Sequence, residues 1–434
     1  MKKFIFSVLS LAFALTVSAC GNPEQPWTTE AGKQNQEPVN LRVAWWGGQS
    51  RHDYTMKVID MYEKENPHVK IEAEYANWDD YWKQMAPLAA GSRLPDVFQT
   101  DLLYLTPYGE KGLLEDLTPY VEDGLINVGS ISENARSGGM IGDKLFGFNL
   151  GVNAPAVVID AEMLKKAGIQ PPNPDWTWAD FEQLAVQVKQ KMGIYGTNGM
   201  KPPEVFFPYF LRTKGQHLYS SDGTSLGYSD DSLFVDYFGR QLRLLEVGAF
   251  PNPGVTAQIK GFEDELIVKG ETPIQWIWSN QYLSLAKAAG RPLELYMPPG
   301  PGLKEGMFLK PSMFFSISKS SKQKEEAAKF INYFVNNIEA NKLIKGDRGV
   351  PVSAEVVEAL KPELTPEQAK IYDYVTRVSQ NSSTMDPPDP IGVAEVVKAL
   401  LETSDEILFK RITPEEGAAK FRKRANEILA QNKK

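Results

Sequence analysis

A chain of 434 residues is too long for a single hydrophobic core, so two domains of ordinary size are expected. The apolar fraction of 42% and charged fraction of 24% suit a water-soluble globular body, and the net charge of −8 argues against general affinity for nucleic acid or electrostatic adhesion to an anionic membrane. The single cysteine, Cys20, excludes a disulfide framework, thiol catalysis and cysteine metal sites in the body that follows it.

The first residues read as a targeting segment: Lys2-Lys3 is basic, Phe4 to Val17 is a short apolar run, and Ser18-Ala19 are small. The run falls short of the roughly 20 apolar residues of a transmembrane helix. Val17-Ser18-Ala19-Cys20 resembles the lipobox of bacterial lipoproteins, which implies a signal peptide over 1–19 and an acylated Cys20 as the first mature residue. Residues 20–39, rich in Asn, Pro, Glu and Gln without periodicity, read as a flexible tether.

Leu41 to Trp46 predicts a first strand, stopped by Gly47-Gly48. Ser50-x-x-Asp53 matches a capping box, with Tyr54, Val58, Met61 and Tyr62 at helical spacing up to Asn66-Pro67. Val69 to Tyr75 alternates as a strand, Trp78 to Leu88 reads as a helix, and Asp96 to Thr100 as a third strand. This alternation predicts a parallel sheet with helices on its faces, and ligands of such sheets sit beyond the carboxyl ends of the strands. Those ends carry Trp46, Gly48 and Gln49, and Thr100 and Asp101.

Leu145 to Asp160 is strand-like at both ends but interrupted by Gly147, Asn149, Gly151, Asn153 and Pro155. Two readings stand: a crossover between lobes with Asn149 and Asn153 facing a cleft, or a twisted hairpin with turn residues at its tip. Thr177-Trp178-Ala179-Asp180 repeats the capping pattern ahead of Phe181, Leu184, Ala185, Val188 and Met192. In Pro273 to Asn280, Trp276 and Trp278 share one face under strand alternation. Phe314 to Ser318 and Gly349 to Val352 are further candidate crossings, and the tail from Thr365 is mostly helical, broken at Met385 to Pro390.

His52, His68 and His217 are far apart in sequence and lack metal-ligand spacing, and no nucleophile elbow, phosphate loop or dinucleotide fingerprint is present. No cofactor, metal or catalytic residue is therefore expected.

Leu94-Pro95-Asp96-Val97, followed by Gly109 to Tyr120 (Gly-Glu-Lys-Gly-Leu-Leu-Glu-Asp-Leu-Thr-Pro-Tyr), resembles the corresponding block of family 1 extracellular solute-binding proteins. These are the maltose-binding-protein-like receptors of ABC importers. Leu164 to Gly168 with Thr177 to Phe181, Gly270-Glu271-Thr272 before the tryptophans, Ala327-Ala328-x-Phe330-Ile331, and Arg348 to Pro351 extend the resemblance in order across roughly residues 40 to 430. The resemblance implies an α/β, two-lobe, type II periplasmic-binding-protein-like fold, with two or three crossovers and a cleft between the lobes. It implies a first lobe of 40–152 plus 319–352 and a second of 153–318 plus 353–434. It also implies a monomer that closes on a carbohydrate, serves the membrane-spanning subunits of an importer, and is held at the extracellular face of the bacterial cell membrane through lipid on Cys20. The chain has Ile159-Asp160 where the family often has Tyr-Asn, a scaffold position.

Carried to matching positions, the resemblance points at Trp46, Gly48, Gln49, Thr100, Asp101, Asn153, Trp278, Ser279 and Asn280 as ligand-binding. Aromatic rings stack on the C–H faces of sugars while amides and carboxylates bind the hydroxyls. Trp276 and Trp78 each read as ligand-facing or as packing, Arg348 as a ligand contact or a brace of the hinge, and Asp386 as a weaker candidate or a turn residue. Asp101 has a competing role as a helix N-cap, and Trp176 and Trp178 read as packing. Alternatives from other classes are a secreted carbohydrate-active enzyme and an importer receptor for a non-sugar solute such as a peptide.

Overall fold

A computed structural model describes residues 37–259, 261–300 and 303–432. The targeting segment, Cys20 and most of the tether lie outside these residues. Among the described residues no helix is long and apolar enough to cross a membrane.

Three βα repeats open the body. Strand β1 (Val39–Trp46) leads into helix α1 (Gln49–Glu65), β2 (Val69–Ala76) into α2 (Trp78–Ala90), and β3 (Val97–Thr100) into α3 (Leu102–Glu110). As the alternation predicts, β1 pairs parallel to both β2 and β3. Tyr54, Val58, Ile59 and Tyr62 recur at helical spacing on α1 and are all buried. The expected capping box at Ser50 does not form. The helix starts two residues earlier, with Gly48 as its N-cap, and Asp53 instead accepts a 2.7 Å hydrogen bond from the Gln49 side-chain amide.

A small hairpin, β4 (Met140–Ile141) and β5 (Lys144–Leu145), precedes β6 (Phe148–Asn153) and β7 (Pro155–Ile159). These two strands belong to different sheets, so of the two readings of this stretch the structure takes the crossover, with Ala154 as the joint. The second sheet is completed by β8 (Ile274–Trp278) and β9 (Glu294–Tyr296), both antiparallel to β7. Every residue of β7 is buried, which explains its uninterrupted apolar run.

The chain then returns through β10 (Lys310–Ile317), which lies antiparallel between β3 and β6 and gives the order β2-β1-β3-β10-β6. The boundary read from sequence assigned residues up to 318 to the second lobe; the β10 ladder ties Lys310 onward to the first sheet instead. Likewise helix Ala354–Leu360 packs on Ile338–Ile344, which packs on α1, so residues of the first lobe extend beyond 352. The third crossing follows that helix. Helix Pro366–Gln380 packs on β9, and Val393–Leu408 and Pro414–Leu429 pair beside Ser232–Glu246 in the second lobe.

Gly151 is required where these crossings meet. A Cβ there would stand 2.2 Å from the Arg348 carbonyl oxygen, in a stretch where Val152 and Val350 exchange backbone hydrogen bonds of 2.8 and 3.1 Å.

Candidate functional site

The two sheets meet at Ala154, and strand register decides what gathers there. Asn153, the last residue of β6, pairs with Lys310, the first of β10; one residue past the joint, Pro155 pairs with Trp278, the last of β8. The Lys310 ammonium lies 5.1 Å from the centre of the Trp278 ring, and Phe308 packs against the same indole with ring centres 6.1 Å apart. Trp278 is half-buried, and its backbone N–H donates to the Gln281 side chain at 2.9 Å.

The first lobe supplies a second group of rings. Trp46 at the end of β1 meets Trp78 edge-on at 4.9 Å, and Trp82 lies parallel to Tyr104 at 3.4 Å. Trp46 is itself buried beneath its neighbours, whereas Trp78 is 38% exposed and presents the surface of the group. Tyr104 lies in the first turn of α3, and its backbone N–H donates to Asp101 at 3.2 Å.

Three charged groups act on one another here, Lys310 with Asp101 and with Asp389. Burial raises the Asp101 carboxyl above its ordinary range, against the opposing pull of its backbone donors and of Lys310. Burial lowers the Lys310 ammonium, which Asp101 and Asp389 partly restore. Burial also raises Asp389, although that residue has an exposed surface. Among the described residues neither the Lys310 ammonium nor the Asp389 carboxylate makes a hydrogen bond within the protein.

Beside them Asp386 is taken by the Arg212 guanidinium and by His217 at 2.8 Å. The same loop reaches the first lobe, where the Met385 N–H donates to Ser137 at 3.2 Å. Phe308, Lys310 and Asp389 were not singled out from sequence, and no motif marks them; their roles come from contacts between distant segments.

Other expected site residues fall inside the protein. Trp276 is 2% exposed, stacked on Trp178 at 5.9 Å and met edge-on by Phe181 and Phe206. It shares a face with Trp278, but helices cover that face at Trp276 and no longer do at Trp278. Thr100 is fully buried because β10 lies beside it, and its hydroxyl bonds to Ser316 at 2.8 Å. Ser279 is fully buried and accepts the Ala154 N–H at 3.0 Å, which makes it part of the joint. Asn149 is buried and donates to the Ala135 carbonyl at 2.9 Å.

Of the two roles open to Arg348, ligand contact or brace, its burial favours the brace. Arg348 is 1% exposed, bonded to Gln99 and at 3.0 Å to Thr55, with Tyr54, Phe315 and Phe334 around its guanidinium. Burial pushes it down to about 10, so it remains charged at neutral pH. It braces the third connection against the first sheet. Gly48, Gln49 and Asn280 are exposed, and Asn153 is half-buried with no side-chain bond. Asp101 does serve as the N-cap of α3 while also facing Lys310.

A groove of about 710 Å³ lies elsewhere on the second lobe, bordered by Gln170, Trp176, Asp180 and Glu182. Two of its three acids are already engaged, Asp180 by Thr177 and Glu182 by Arg240, and it lies away from the joint, so it is not the better candidate. Among the described residues no cluster of His, Cys, Asp or Glu could hold a metal ion.

Comparison with known proteins agrees with this architecture. Residues 48–340 match the model of the bacterial extracellular solute-binding protein family, and the chain belongs to that family. Its two lobes are those of the type II solute-binding fold. An extracellular solute-binding protein from Alicyclobacillus acidocaldarius superposes with a TM-score of 0.81 at 28% identity, covering 91% of this chain and 99% of that one. A periplasmic oligogalacturonide-binding protein from Yersinia enterocolitica gives 0.79 at 24% identity, with 91% and 100% covered. By sequence the chain is 22% identical over 204 residues to an arabinooligosaccharide-binding protein of Bacillus subtilis, 44% of this chain and 43% of the relative.

Proposed function

We propose that the protein is the sugar-capturing receptor of an ABC importer, a monomer tethered by lipid on Cys20 at the outer face of the cell membrane, and that it binds without catalysis. The observation that carries this reading is the Trp278 ring at the joint with the Lys310 ammonium against it, while the first lobe brings the exposed Trp78 near Tyr104 and the Asp101 carboxyl that acts on Lys310. A sugar offers apolar C–H faces to such rings and hydroxyls to such charges. Relatives whose names record arabinooligosaccharide and oligogalacturonide binding support a carbohydrate over a peptide. Closure of the lobes on the ligand removes both from water, and a transporter can read the closed form.

A thermal-shift screen against oligosaccharides and peptides tests the ligand class, because binding to the folded form raises Tm. A shift with sugars supports the reading, a shift only with peptides overturns it, and release of shortened oligosaccharides would favour an enzyme. Loss of membrane retention in a Cys20→Ser variant tests the anchor.

A further inference from the structure

We infer that the site is built for an uncharged oligosaccharide and turns away uronides; this rests on the sugar-receptor reading above. The argument is one of charge and hydrogen-bonding capacity. Lys310 is the cation at the Trp278 ring, and two carboxylates, Asp101 and Asp389, act on it through their charge. The neighbouring cation, Arg212, is committed to Asp386. The group of three therefore carries one excess negative charge.

A uronide seated at Trp278 would meet Lys310 favourably but Asp101 and Asp389 unfavourably, in a place where surrounding protein weakens screening. A neutral sugar meets no like charge. Its hydroxyls both donate and accept, so one can donate to Asp389 and another accept from Lys310. Those two groups are the ones with no hydrogen bond of their own among the described residues. Asp101 already accepts from backbone N–H groups at the start of α3, the Tyr104 N–H at 3.2 Å among them, and retains further accepting capacity. The raised carboxyls and lowered ammonium fit groups that lack water's full solvation and gain from ligand hydroxyls.

The test is titration calorimetry of the purified protein with arabinotriose, xylotriose and maltotriose on one side and digalacturonate on the other. At least one neutral sugar should bind, with digalacturonate ten-fold weaker or worse. An Asp101→Asn, Asp389→Asn variant should narrow that ratio at least ten-fold, and Asn at 101 keeps the helix cap. The single Asp389→Asn change should narrow it part of the way, should the double variant not fold. Tighter binding of digalacturonate than of every neutral sugar overturns the inference, as does an unchanged ratio in the folded variants, while leaving the sugar reading intact. Failure of all sugars of either charge overturns the sugar reading itself, and the inference with it.

Discussion

The Lys310 ammonium stands over the Trp278 ring at 5.1 Å, although the two residues belong to different sheets. Lys310 opens β10 in the first sheet and Trp278 closes β8 in the second, so the contact spans the joint about which the lobes would move. A cation held against an indole without a hydrogen bond is desolvated for little local return, which marks a functional rather than a structural lysine.

Replacing it with methionine separates these roles. Lys310→Met keeps the aliphatic volume and removes the buried charge, so Tm in a calorimetric scan should stay the same or rise. Sugar affinity should fall at least about three-fold, the loss of one hydrogen bond of modest strength. A marked drop in Tm would make Lys310 part of the scaffold.

Asp101 combines a cap with a cleft position, and two substitutions distinguish them. Asp101→Ala should cost about 1 kcal/mol in urea unfolding, because the Tyr104 N–H loses its acceptor, while Asp101→Asn should restore most of that stability.

Arg348→Ala should destabilise the protein by at least about 2 kcal/mol. It removes the buried partner of Gln99 and leaves a cavity among Tyr54, Phe315 and Phe334. The folded variant should bind sugar within about two-fold of the parent if its role is bracing; urea midpoints and calorimetry read the two effects.

Asp347 gives the pH dependence. Burial alone would raise its carboxyl, but the charge and hydrogen bond of Arg51 at 2.8 Å and the Tyr54 hydroxyl at 2.9 Å outweigh that, and the net direction is down. A carboxyl with a lower pKa in the folded state contributes stability that is present above its unfolded value of about 4 and is lost as pH falls through the folded value. Urea midpoints should therefore fall less steeply on acidification below about pH 5 in Asp347→Asn than in the parent.

Much of the fold could be read from periodicity. The βα repeats before residue 100 and the capping box at Thr177 are local signals, and the structure keeps both. The site was less legible. Alternation puts Trp276 and Trp278 on one face, and only the helices packed over the sheet separate a core ring from one at the joint. Thr100 ends a strand, which suggested a ligand position, but the antiparallel return of β10 buries it. Lys310 and Asp389 lie in segments without a motif and acquire meaning only when three distant parts of the chain converge. Arg348 showed a related limit, since its type allowed a ligand contact or a brace and only its burial favours the brace.

The central claim is that one ligand contacts both lobes. Titration calorimetry of the best-binding oligosaccharide against Trp78→Ala and Trp278→Ala addresses it, since the first ring comes from the first lobe and the second from the other. Each substitution should weaken binding roughly three- to ten-fold, as expected for a lost stacking ring, with Tm little changed. Full affinity in both variants, or a loss confined to one lobe, would contradict a site formed between them.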